Sequence, residues 1–149
     1  LKYSREPLTN REQKMELSAL DLSTTSEQGY EFEFIPEATG IGEGFFITVL
    51  GKHADTVKEW TRKAVNNMRD RERMLAKKGK DDYRKVEEDE DFSVKLTAVT
   101  ITGWKGLNDG GKPVEYSKEM ALTLCRINPE IRDQVSAASD LMSNFTKSK

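Results

Sequence analysis

A chain of 149 residues with 36% hydrophobic and 34% charged side chains has material for one modest core and little more. Its net charge of -2 and pI near 5.6 argue against a whole-protein field that gathers nucleic acid or an anionic membrane. A single cysteine, Cys125, excludes an internal disulfide or a multi-cysteine zinc site and suits a reducing cytoplasm. No apolar run approaches the ~18 residues of a membrane helix, so a soluble protein not secreted by the usual route is expected.

Residues 1–29 mix Lys, Arg, Glu, Ser and Thr around Pro7 and read as a mobile N-terminal arm that orders against a partner or neighbouring subunit. Within it Met15, Leu17, Leu20 and Leu22 form a short docking segment. From Tyr30 the pattern changes to period two: Tyr30, Phe32 and Phe34 alternate with Glu31 and Glu33, as a strand with one buried face requires. The run from Phe45 to Leu50 is a second β-rich segment. Pro36, Gly40, Gly42 and Gly44 lie between the two, which predicts an antiparallel hairpin with a long loop.

A two-stranded hairpin is marginal alone, and its cover is expected to begin after Gly51. Val57, Trp60, Ala64 and Met68, extended by Leu75, recur at helical spacing and predict one long helix over residues 55–78. Asp55 and Glu59 suit its first turns, and Lys77, Lys78 and Gly79 suit its end. Between Arg69 and Asp91, 17 of 23 residues are charged, with the acids bunched from Glu87 to Asp91. Residues 30–80 are thus expected as hairpin plus helix, and 81–91 as an acidic linker whose charges pair with the basic block or with a neighbouring copy. Residues 92–149 are expected as a helical region forming one compact unit with 30–80.

Residues 92–102 carry two patterns. Phe92, Val94 and Leu96 alternate like a strand, and Val99 to Thr102 are β-branched, yet Phe92, Leu96 and Val99 share a helical face. Gly103-Trp104-Lys105-Gly106 then sets a large aromatic between glycines, and Asp109-Gly110-Gly111 suits positive φ in a tight turn. With Pro113, Tyr116 and Ser117 these residues form a structural joint, Trp104 anchoring the core and Ser117 capping a helix over 118–126. Asn128-Pro129-Glu130 is a second helix start, and Ile131, Val135, Ala138, Leu141 and Phe145 extend that helix over 129–145, followed by the basic tail Lys147-Ser148-Lys149.

The chemical inventory is thin. His53 falls in a turn and Cys125 among apolar residues, and the sequence holds no phosphate loop, nucleophile elbow or zinc-protease motif. Gly40, Gly42 and Gly44 join two strands, with no helix N-terminus behind them to receive an anion. The basic side chains of the long helix, Arg62 to Lys80, are interrupted by acids, so nucleic-acid binding is not expected. Neither catalysis nor a cofactor nor a bound metal is expected.

The Gly-Trp-x-Gly-Leu segment at Gly103–Leu107, the Asp/Gly turn, the Pro-x-x-Tyr-Ser segment at Pro113–Ser117 and two short C-terminal helices resemble the pattern of tail assembly chaperones of long-tailed (siphovirus-like) bacteriophages. The hairpin turn Pro36–Gly40, Val49-Leu50-Gly51 and the charged helix agree in outline, so the resemblance spans roughly residues 28 to 146. It implies a helix over 92–102 leading into Gly103, and a Ser near position 54, where this chain has Ala54. The fold expected is α+β: an N-terminal hairpin packed on a long helix, a charged linker, and a small helical C-terminal region around Trp104.

By resemblance the function is that of a non-catalytic chaperone in the infected cell's cytoplasm, with the tape-measure and tail-tube proteins as partners. Self-association is expected because the hairpin has open edges. The candidate partner-binding residues are Phe32, Phe34, Phe45 and Ile47 on the hairpin, and Ile131, Val135, Leu141 and Phe145 on the C-terminal stripe; for any one of them taken singly, ordinary core is the better reading. A minor tail or head-to-tail connector protein retained in the virion is the alternative, and a small phage inhibitor of a host protein is a second.

Overall fold

The structure, a computed structural model, describes residues 14–80 and 86–146. The first half of the expected arm, residues 81–85 of the expected linker and the basic tail lie outside the described residues. In chain order a 3₁₀ turn at Leu17–Leu20 precedes α1 (Leu22–Ser26), β1 (Tyr30–Glu33), β2 (Phe46–Val49) and α2 (Asp55–Lys77). The second half holds α3 (Val86–Thr100), β3 (Ile101–Lys105), β4 (Asn108–Asp109), β5 (Lys112–Pro113), α4 (Lys118–Ile127), α5 (Pro129–Asp140) and a 3₁₀ turn at Met142–Phe145. The α+β class follows directly.

The expected hairpin is present, with Tyr30 opposite Val49 and Phe32 opposite Ile47, but it is two-thirds of a sheet. β3 adds to the other edge of β2, giving the antiparallel order β1-β2-β3. The two patterns read over residues 92–102 are therefore both used, in succession: α3 runs to Thr100 and the strand begins at Ile101 with no loop between. The junction works because the helix's terminal carbonyl, which has no intrahelical partner, accepts the Leu50 N–H at 2.8 Å. The side chain of Thr100 turns back to the Thr97 carbonyl at 2.7 Å.

One face of the sheet is buried. Phe34, Phe45, Ile47, Val49 and Ile101 point into a core completed by Val94 of α3, Ala121, Leu124 and Cys125 of α4, Ile131 and Val135 of α5, and Phe145. The sheet is covered by α5 at β2 and by α3 at β3, while α2 packs chiefly against α3 and meets the end of the hairpin through Leu50. The open edge of β1 is partly closed from α5: the Gln134 side chain accepts from the Ile35 N–H at 3.1 Å and donates to the Ile35 carbonyl at 2.7 Å, as a neighbouring strand would.

The segment expected as a joint is half strand. Gly103, Trp104 and Lys105 lie in β3. The Trp104 indole N–H donates to the Val114 carbonyl at 2.9 Å, and its ring meets Phe45 and Tyr116 edge-on. The Tyr116 hydroxyl reaches the Ile101 carbonyl at 3.0 Å. Gly110 and Gly111 both take positive φ in the two-residue turn joining β4 to β5, the conformation that right-handed strand twist favours. Ser117 and Asn128 cap α4 and α5 through bonds from Met120 N and from Glu130 and Ile131 N.

Gly106, which ends β3, has φ +86, and a Cβ there would overlap the Gly44 carbonyl oxygen. Strain at such a φ costs about 1–3 kcal/mol, and the overlap adds to it. Gly106→Ala is therefore expected to lower the urea midpoint by the equivalent of at least about 2 kcal/mol, whereas Gly103→Ala, whose Cβ meets nothing within 4 Å, should stay near wild type.

Candidate helix-binding groove

The long helix starts without a side-chain cap of its own. Its N-cap is Ala54, fully buried against Leu50 and Val57, where a serine hydroxyl would have to be desolvated. The Glu27 carboxylate supplies the missing acceptor, taking the Thr56 N–H at 3.1 Å. Glu27 can do so because the segment before it is anchored: Ser26 is buried and its carbonyl accepts from Gly51 N at 2.9 Å. Residues 22–29, assigned from composition to a mobile arm, are in this respect part of the folded body.

Beyond its first two turns α2 is poorly covered. Of the stripe Val57, Trp60, Ala64, Met68 and Leu75, only Val57 is buried; the others are half-buried. The neighbour is α3, whose Leu96 and Val99 close over Val57 and Leu50, and whose Phe92 meets Trp60 at a ring distance of 5.5 Å. Past that contact the helices leave an open groove of ≈ 790 Å³. Trp60, Ala64 and Met68 from one wall and Phe92 from the other give it an apolar floor, with Lys63, Arg71, Lys95, Glu88 and Asp91 on its rims.

The acidic run supplies one wall because it is helical. Residues 86–91, expected in a linker, are the opening turns of α3, where the helix dipole favours acids. Arg71 reaches Glu88 across the groove at 3.3 Å. Asp91 accepts from Lys95 at 3.0 Å and from Arg126 of α4 at 2.8 Å, and these bonds hold its carboxyl below the usual range, Lys95 contributing most and Arg126 next. An apolar trough with charges of both signs on its edges is the surface onto which an amphipathic helix lays its apolar face.

Most residues proposed from sequence as partner-binding lie elsewhere. Phe34, Phe45, Ile47, Ile131, Val135 and Phe145 are buried in the core, and Phe32 is half-buried against it. Leu141 alone is exposed, at 56%. The expected helix over 129–145 stops at Asp140, because Leu141 leaves the helical conformation (ψ 101) and Asn144 Nδ2 satisfies the Ala138 carbonyl at 3.0 Å. That break lets Phe145 fold back onto Tyr30, 6.1 Å between rings. The groove residues Trp60, Ala64 and Met68 were visible in the sequence as an apolar stripe and Phe92 as part of the two patterns over 92–102, but a stripe does not say how much of itself a neighbour covers.

His53 is half-buried in the turn before α2. Cys125 is enclosed by the core, and burial pushes its thiol up to about 11. Among the described residues no group of His, Cys, Asp or Glu is placed to hold a metal, and no helix is long and apolar enough to cross a membrane.

Fold and groove together define a small α+β protein with an open, helix-walled trough. The YdaY prophage protein family matches residues 57–149, well over half of the chain. The chain belongs to that family and is phage-related. No curated protein and no solved structure matches it. Both walls of the groove fall within the matched span, and β1 and β2 fall before it.

Two measurements separate core from groove. Phe145→Ala is expected to destabilise the fold by about 3–5 kcal/mol, so changes there report on folding, while Met68→Asp should leave the thermal midpoint within about 2 °C of wild type. The thiolate is the reactive form, so Cys125 should resist a thiol reagent at pH 8 and label only as fast as the chain unfolds. Its raised pKa makes the unfolded state release its proton first, so stability should fall as pH climbs from 9 toward 11.

Proposed function

We propose that this phage-related protein is an assembly chaperone for the tail, binding an amphipathic helix of the tape-measure protein in the α2–α3 groove without catalysis. One observation supports the reading above the others: a 23-residue helix with a continuous apolar stripe buries only Val57, leaving Trp60, Ala64 and Met68 opposite Phe92 in an open trough. A tape-measure protein is long and helical, and before assembly its apolar faces need cover. Charged rims of both signs suit a client whose flanking residues are also mixed. The tail-tube protein is the second partner in this reading, and the infected cell's cytoplasm is the place of action.

The test is co-expression with the tape-measure protein of the same genome. The client should become soluble and co-purify only in the presence of this chain, and Met68→Asp or Ala64→Arg should cut recovery at least tenfold with the melting curve unchanged. If the client stays insoluble and unbound beside the wild-type chain, the reading fails, and detection in purified virions would then favour a structural tail component.

A further inference from the structure

The described chain exposes large apolar side chains in one concentrated place. Met15 and Leu17 are 71% and 83% exposed, and Leu20 and Leu22 are also exposed. Leu17 and Leu20 open and close a 3₁₀ turn, whose geometry sets residues three apart on the same side. Scattered surface leucines need no explanation, but a run of four within eight residues does.

The same molecule has a second apolar groove, which shares Trp60 and Lys95 with the α2–α3 trough. It measures ≈ 660 Å³ and lies beside α3 and α4, with Ala98, Val99, Tyr116 and Leu122 in its lining and the Lys95 and Lys118 ammonium groups at its rim. Its other rim is Glu27 to Gly29, the chain that follows α1. The apolar segment precedes α1. Asp21 caps that helix, accepting from Thr24 Oγ1 at 2.7 Å, Ser23 Oγ at 2.8 Å and Thr24 N at 3.3 Å. The segment enters α1 at this capped end and the groove's rim follows the other end, and in the described chain Met15, Leu17, Leu20 and Leu22 stay exposed and are not seated in that groove.

We infer that Met15–Leu22 is an exchange strap: it seats in the α3–α4 groove of a second copy of this chain, and the second copy returns its own strap, forming a closed two-fold dimer. Leu17 and Leu20 enter over Val99 and Leu122, and Glu16 meets the basic rim at Lys95 and Lys118. The inference does not depend on the client, since it concerns the purified chain alone.

The experiment is sedimentation and light scattering on the full 149-residue chain. Wild type should be dimeric, and the double variant Leu17→Asp, Leu20→Asp should be monomeric with unchanged circular dichroism and melting, because both side chains are already exposed. Leu122→Arg, with Lys118→Glu as a milder second variant, should also give monomers. Mixing the strap variant with the groove variant should restore dimers, since one intact strap then faces one intact groove. Leu17→Cys and Leu122→Cys on separate chains should cross-link on oxidation, without interference from the buried Cys125. A wild-type monomer, a dimer that survives the strap variant, or a Leu17–Leu122 disulfide that forms within one chain would each overturn the inference.

Discussion

The constraint on which the structure depends is that α3 must bury two faces at once. Val94 and Ala98 turn toward the sheet, α4 and α5, while Leu96 and Val99 turn toward Leu50, Ala54 and Val57. A helix apolar on two sides belongs between layers, and the other elements are arranged accordingly: α4 and α5 on one side with the sheet, α2 on the other. Its last residue passes straight into β3, so the position of α3 also fixes the register of the third strand. The bulge at Thr48/Val49, where Val49 faces Ile101 and Thr48 faces Gly103, is where the sheet absorbs the abrupt change from helical to extended backbone.

This arrangement explains which features could be read from sequence. Those encoded within a few residues were legible: the caps at Ser117 and Asn128, the positive-φ turn at Gly110 and Gly111, the alternation in β1, and the extent of α2. They depend on side-chain and backbone geometry local to the motif. The resemblance implied a helix over 92–102, which holds as far as Thr100; Ile101 and Thr102 are strand. What could not be read was pairing across long separations. β3 joins the hairpin only because α3 brings Ile101 alongside Val49, and Glu27 replaces a capping residue for a helix that starts 28 residues later in the chain. The helical stripe from Ile131 continued in the sequence to Phe145, but the backbone turns at Leu141 to send Phe145 under Tyr30, a choice made by the core and invisible to periodicity.

The candidate site shows the same limit from the other side. Aromatic and aliphatic residues of the hairpin and of α5 were attractive as a binding surface because they are the strongest apolar signals in the chain, and for that reason they form the core. The α2 stripe was read as the hairpin's cover, which demanded burial. Because α5 provides that cover, the stripe on α2 past Val57 is only half-buried among the described residues.

How firmly α2 is held decides what that surface can do. Its cross-groove ion pair, Arg71 with Glu88, joins side chains 48% and 41% exposed, and such pairs contribute only ~0–1 kcal/mol. The Lys63–Glu59 and Arg73–Asp70 pairs are along the helix itself and more open still. Among the described residues the buried contacts of α2 lie in its first turns, through Val57, Ala54 and the Trp60–Phe92 contact, and no side chain from Met68 to Lys77 is buried. Segments of that kind open at low free-energy cost relative to the core. The two walls of the groove are thus held differently: α3 is packed on both sides, against the sheet, α4 and α5 and against Leu50, Ala54 and Val57, whereas α2 rests on the contacts of its first turns.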